Sequence, residues 1–397
     1  MLARHLKLLP VAGVLLAAHA GFADVACPVE APRRESVEYD AVWRTDAYSA
    51  DYLMGNIQAA VMDDEGSLYL LDIQQQEVFR FSSNGEYLGS IVHQGEGPGE
   101  ISQVWSMAWW SPGSLVLPQA FPPRVVRVAV DGTPQDALRV LLDPEDESPV
   151  SVTEFAACGD YAVVGGSIFT FGGENPQIQK WLGVVGRDGS LRHKLDERST
   201  TVSTNPLKQK YNEFEQFWRW DRWAVSQNGR LFIAPEREGY VIEEYDLDGQ
   251  LKSTWSRPVE ARERTKEELE QMRNSNTFVF NGQKAETEYT LADHEPQISD
   301  LYLFDDELWV RLDKDPKSES FARMAVHTLD GELLSERDLN VPHDSKNDIV
   351  LLLDGDHVAV IENGVAAQQS QFAAFGGEVD EELNAEAIEV VLYRVAE

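Results

Sequence analysis

The sequence predicts an all-β fold: a six-bladed β-propeller closed by its own N-terminal strand, with a short helical insertion between blades four and five. Three observations predict it. Short β-prone runs separated by turn residues dominate the 397-residue chain, and helical periodicity is scarce. A four-strand unit recurs from one end to the other. One strand without a partner is left over at each terminus.

The unit is plainest over residues 55 to 91. GNIQAAVMDDEG reads as a strand running into an acid–glycine turn, SLYLLD as a second strand and VFRF as a third. SSNGE supplies Asn84-Gly85, a strong hairpin signal, and YLGSI is the fourth strand. Such a small sheet has no second layer of its own. Its second hairpin returns as VVRVAVDGTPQDA, LGVVGRDGSLRHK, IEEYDLDGQLKST and MAVHTLDGELLSE, each turning on Asp-Gly. The first hairpins are DDEGSLYLLD, SPGSLVLPQ, CGDYAVVGG, QNGRLFIAP, DDELWVRLD and LDGDHVAVIE. Six first hairpins and five second ones leave the terminal IEVVLYRVAE short of a partner, and SVEYDAVWRT at 36–45 is the matching orphan. Pairing the two closes a ring, in which each sheet buries its faces on its neighbours and only short edges remain.

Between the first and second units stands IVHQGEGPGE, residues 91–100. Its glycines permit a sharp turn and Pro98 stiffens it. A phosphate loop would carry a Lys and run into a helix. This stretch has Glu96 and Glu100 and runs into a strand, so it reads as a connector. Gly97-Pro98-Gly99-Glu100-Ile101 resembles the inter-blade turn of NHL-type propellers, and the repeat pattern over nearly all of the chain is similar to that of the bacterial six-bladed β-propeller family. The resemblance implies fold and export but no single activity. It also implies a competing function, because similar rings act as calcium-dependent lactonases or arylesterases, with a metal held at the channel centre by acids and an Asn.

Residues 1–23 read as a secretory signal: Arg4 and Lys7, an apolar run from Leu8 to Ala18, and small residues at the cleavage positions in Gly21-Phe22-Ala23. Residues 24–35 then form a linker and 36–397 the propeller. No later stretch is long and apolar enough to span a membrane. The expected location is the periplasm or the exterior. Val25-Ala26-Cys27 also resembles the end of a lipoprotein signal, although Asp24 stands where an aliphatic residue is usual, so a lipid anchor at Cys27 is the alternative. Cys27 and Cys158 are the two cysteines, and a disulfide between them is open.

The formal charge of −34 becomes −36 once Arg4 and Lys7 leave with the signal. Such a surface repels nucleic acid and anionic lipid. No nucleophile elbow, HExxH or CxxC motif occurs, and the histidines show no ligand spacing. Asp313-Lys314-Asp315 begins like a calcium loop, but Lys317 and Ser318 occupy positions that need a ligand and a glycine. No cofactor is expected, with calcium the candidate under the hydrolase reading.

The surplus length falls in four insertions, at 165–180, 195–217, 257–295 and 362–387. All join second to third strands or one unit to the next, which places them on one face. The third holds a capping box, Thr265 to Glu268, and hence a helix. FEQFWRWDRWAV at 214–225 is read as opening the first strand of blade four, so that Trp218, Arg219, Trp220 and Arg222 reach the channel mouth, where an Arg could hold an anion and a Trp could stack on a ligand. Gln58, Trp105, Glu154 and Gln297 are expected to ring the same mouth. The alternative is that the aromatics fill the gap between blades while Arg219 pairs with a neighbouring acid. The function expected is a binding platform for a protein, peptide or glycan.

Overall fold

The computed structural model describes residues 23–26, 32–143, 145, 149–170, 176–277, 279–280, 283–313, 318–374 and 387–396. Residues 1–22 of the expected signal, Cys27 and residues 314–317 of the calcium-loop-like turn lie outside them.

The fold is almost all β and propeller-like. Ile57–Met62, Leu68–Asp72, Glu77–Phe81 and Tyr87–Val92 form the first antiparallel four-stranded sheet, ordered as in sequence. Sheets two to five repeat this order over 108–138, 151–201, 223–257 and 300–340. The last sheet draws three strands from the C-terminal region, Ile349–Leu352, His357–Glu362 and Glu389–Val395. Its fourth is N-terminal. Arg34–Asp46 runs antiparallel to Glu389–Val395, with Tyr39 opposite Val395 and Asp46 opposite Glu389. The two orphan segments therefore pair.

The same N-terminal strand does more than its sequence suggests. Its first residues, Arg34 to Glu38, run parallel to the fourth strand of sheet five, so one strand joins two sheets. Ala23–Ala26, at the junction of the expected signal and linker, lies parallel to the fourth strand of sheet four. Parallel pairings need no hairpin turn and leave no local signal in sequence.

Each core cluster is shared by two sheets. Tyr69 and Leu71 of sheet one meet Leu115 and Leu117 of sheet two. Leu68 and Leu70 point the opposite way and meet Ala359, Ile361 and Val390 of the last sheet. The strand LYLLD is buried throughout because both of its alternating faces are covered. Further clusters join sheets two and three, three and four, four and five, and five and six.

The recurrent turn glycine has two causes. Gly85 sits at φ 83°, which the hairpin requires, and a Cβ there would lie 2.9 Å from the Trp43 ring on the N-terminal strand. Gly132, Gly189, Gly249 and Gly331 face the outer region of the preceding sheet in the same way, against Ile91, Arg139, His193 and Trp255.

Short turns lie at one end of every sheet and the long connections at the other. The expected helix is α1, Lys266–Ser275, with its capping box formed: Thr265 Oγ1 accepts from the Glu268 amide at 3.2 Å, and Glu268 Oε2 from the Thr265 amide at 2.8 Å. A second helix, α2, spans Gly364–Ala374. No described helix is long and apolar enough to cross a membrane.

Candidate functional site

The loop-rich end divides into three regions, and the eight expected residues are spread among them. The first is the inner channel. Gln58 stands on the first strand of sheet one, where its Oε1 accepts from Gln368 Nε2 of α2 at 3.0 Å. The last insertion thus reaches back over the first sheet. Glu154 stands beside a bulge in the first strand of sheet three, opposite Gly165. Burial, then the charges of Asp221 and Asp300, push its carboxyl up to about 7. Asp221 and Asp300 are raised too, chiefly by burial. Among the described residues no three His, Cys, Asp or Glu side chains converge to hold a metal ion. The oxygens of Asp300 already accept from the Leu301 amide at 2.8 Å and the Tyr302 hydroxyl at 2.7 Å.

The second region is the seam between sheets three, four and five. Residues 218–222 form a turn, and the first strand of sheet four begins only at Trp223. Strand alternation, on which their expected placement at the channel mouth rested, therefore does not apply to them. Arg219 points away from the hub and pairs with Glu243 at 2.8 Å and Asp196 at 3.3 Å. Arg222 is buried and donates to the carbonyls of Ile298, Ala234 and Glu236 at 2.5, 3.1 and 2.6 Å, with Trp218 stacked 4.7 Å away. Burial lowers its value to about 10. Neither arginine is free to hold an anion. Trp220 donates to the Gly166 carbonyl at 3.0 Å and carries the Lys180 ammonium 3.9 Å above its ring.

Gln297 lies nearby in a cleft of about 390 Å³, lined also by Arg257, Arg262, Asp313, Arg323 and Glu336. Its Oε1 accepts from the Gly239 amide at 2.9 Å. The charges here are already matched. Arg262 bonds Asp313 at 2.6 Å and Glu268 of α1 at 2.8 Å, and Glu336 holds Arg257 at 2.6 Å. Deeper still, Glu213 (1 % exposed) joins Arg237 and Arg264 (3 % each) at 2.8 and 2.7 Å. Burial alone would raise the Glu213 carboxyl; hydrogen bonds from Arg264, the Ala292 amide and Arg237 outweigh it and hold it below its usual range.

The third region spans the connections into and out of sheets one and two, and Trp105 lies there, 53 % exposed. Tyr48, Leu53 and Phe121 are exposed in the same sector, and Phe169 and Phe214 elsewhere on this face. Three buried polar side chains fix the backbone beneath. Asp72 accepts from the amides of Gly55, Gln74 and Gln75 at 2.5, 2.8 and 2.9 Å. Gln76 Oε1 accepts from the Val104 amide at 3.0 Å, and Gln119 Oε1 from the Ser102 amide at 3.0 Å. Sequence reasoning passes over these three. Their signal is a polar residue closing an otherwise apolar strand, as in LYLLD and LVLPQ, where Asp72 and Gln119 hold equivalent places. The Gly-Pro-Gly connector is held by the chain itself: Gly95 N–H donates to the Ile101 carbonyl at 3.0 Å and Gly97 N–H to Glu100 Oε2 at 2.8 Å. Those amides face the protein's own oxygens, as a connector requires.

No family model matches this chain, and no curated protein matches it by sequence. Among solved structures it is similar to a presumed exported protein from Bacteroides fragilis, at 11 % identity over 94 % of this chain and 100 % of that one, with a TM-score of 0.47. A DUF4221-family member from Bacteroides vulgatus shares 8 % identity over 92 % of this chain and 99 % of its own, at TM-score 0.46. Virginiamycin B lyase from Staphylococcus aureus shares 10 % over 89 % and 99 %, at 0.40. At these identities and scores none of them bears on what this chain binds or does. The fold rests on its own strand pairing and shared cores.

Proposed function

We propose that the chain is an exported, six-bladed propeller, closed by its N-terminal strand, that acts as a binding platform through its loop-rich face. Closure is supported by the pairing of Tyr39–Asp46 with Glu389–Val395 and by the succession of shared cores that returns from the last sheet to the first. Export is supported by the character of residues 1–23. The observation that carries the binding reading is where the apolar surface lies. Of nine large hydrophobic residues exposed among the described ones, six (Tyr48, Leu53, Trp105, Phe121, Phe169 and Phe214) sit at the loop-rich end. Exposed rings gathered on one face of a rigid scaffold mark an interaction surface, whereas scattered ones do not. The partner favoured is a protein or peptide, with a glycan as the other candidate.

Cross-linking in the producing cell tests this. Replacing Tyr48, Leu53, Phe169 and Phe214 by Ser should abolish the adducts that the native protein forms. Replacing Leu88 and Tyr161, which lie elsewhere, should leave them intact. The same adducts from both variants would overturn the reading.

A further inference from the structure

We infer that the sector around Trp105 and Phe121 docks a cationic, Lys/Arg-bearing segment of a protein partner. This rests on the platform reading and adds both the place and the chemistry.

The place follows from rigidity combined with exposure. Val104 and Gln119 form an antiparallel bridge between the connector and the turn after the second strand of sheet two, and the Ala120 amide donates to the Gln103 carbonyl at 3.2 Å. Trp105 and Phe121 flank that bridge, 53 % and 67 % exposed. The backbone under both is clamped by buried Gln76 and Gln119, which are 7 % and 0 % exposed. Gln119 also donates to the Pro122 carbonyl at 2.9 Å. Two rings are thus held out to solvent on main chain that has little freedom left to lose, the condition under which exposed aromatics bind best.

The chemistry follows from charge. The described connections of this sector (47–56, 73–76, 93–107, 120–123, 139–143, 145 and 149–150) contain five acids and a single base, Arg139. The described connections around sheets four and five (202–222, 234–239, 258–277, 279–280, 283–299, 313 and 318–321) contain sixteen acids against ten Lys and Arg, many of them ion-paired. Beside Trp105 and Phe121, the Glu96 and Glu100 carboxylates meet no cation at ion-pair distance among the described residues. Arg124 instead donates to their backbone carbonyls, at 3.4 and 3.0 Å. Exposed ring faces attract guanidinium and ammonium groups, and nearby uncompensated carboxylates add to the attraction. A chain of formal charge −34 would repel an acidic partner from the same spot.

The test uses the mature protein and a labelled synthetic peptide of Arg and Leu residues, with a Glu-for-Arg peptide and a neutral oligosaccharide as comparison probes. Fluorescence anisotropy at physiological salt gives the affinities, and thermal melts confirm that each variant is folded. The double variant Trp105→Ser/Phe121→Ser should weaken binding of the Arg peptide about tenfold or more. Leu88→Ser, an exposed apolar residue away from the loop-rich face, should not change it. Arg-peptide binding that ignores Trp105 and Phe121 would be general attraction to an acidic surface and would overturn the inference. So would preference for the Glu peptide or the oligosaccharide at these rings. Either result leaves the platform reading standing, because the cellular cross-linking variants do not touch Trp105 or Phe121.

Discussion

The sector around sheets four and five and the sector around sheets one and two face the same way and are built on opposite principles. The first is thick and charged. Its insertions fold back on themselves, and Glu213, Arg237 and Arg264 are sealed beneath as a buried ion-paired set. The second is thin. Its connections are short, uncharged side chains such as Gln76 and Gln119 clamp them, and the rings stand outside. Arginine in the first sector is committed to carboxylates and carbonyls within the protein. In the second, acids and aromatics are left for something else. Much of the length of the charged insertions goes to satisfying their own charges.

The comparison breaks most violently at Glu213. Replacing it by Ala leaves two buried guanidinium groups without their shared carboxylate, at a cost of about 3–5 kcal/mol. Denaturant titration should show that loss, and a variant as stable as the parent would mean the set is open to water. The pH dependence follows from the same group. Its folded carboxyl titrates below the unfolded range, so its contribution is present above the unfolded value and disappears as pH falls through the folded one. The acid limb of the native protein's stability curve should flatten in the Ala variant.

In the other sector the equivalent break is apolar. Ile101 is fully buried between sheets one and two and anchors the Gly-Pro-Gly connector, with its amide on the His93 carbonyl at 3.0 Å. Ile101→Ala should cost about 3 kcal/mol through the cavity it leaves. Hydrogen exchange should quicken over 94–107 while 262–295 keeps its protection. Equal loosening of both segments would erase the distinction between the sectors.

Much of this was written locally in the chain. Hairpin turns, the acid-glycine rhythm and an orphan strand at each end are short-range patterns, and the sheets and the head-to-tail pairing follow from them. The capping box at Thr265 and the connector at Gly97 are local as well. What sequence spacing misses is long-range or unpatterned. Glu213 meets Arg264 across 51 positions and the Ala292 amide across 79, and no periodicity announces such partners. The turn at 218–222 resembles a strand because Trp and Arg alternate there, yet Arg222 is drawn inward by carbonyls from two sheets. Strand alternation is therefore no guide to where Trp218, Arg219, Trp220 and Arg222 point, and Arg219 pairs with neighbouring acids, Glu243 and Asp196, as the alternative reading of that stretch expected.

Glu154 gives a smaller effect of opposite sign to Glu213. Its carboxyl is raised by burial and by Asp221 and Asp300, so the folded state holds its proton more tightly than the unfolded state does. Stability is lost as pH rises from about 4.5 to about 7 and stays lost above. Glu154→Gln should remove that slope and stabilise the protein at pH 8 by up to about 3 kcal/mol. Melts at pH 4.5 and pH 8 read it directly. A variant that melts lower at pH 8 would show that a charged Glu154 is held by attractive partners.

The smallest effect sharpens the contrast most, because it separates the insertion from the sheets beneath it. Thr265→Ala removes the capping box of α1 and should cost that helix about 1 kcal/mol. The helix has no buried residue of its own. It is held by its cap and by Glu268, which Arg262 shares with Asp313. If the ion pairs fasten the insertion, exchange should quicken only over 266–275, and the global melt should move by no more than a degree or two. If the cap itself were the fastening, its loss would release Arg262 from α1, carry the loosening to Asp313 and Glu295, and expose the sealed set at Glu213. A change confined to one helix therefore means that the sealed sector owes its closure to buried charge.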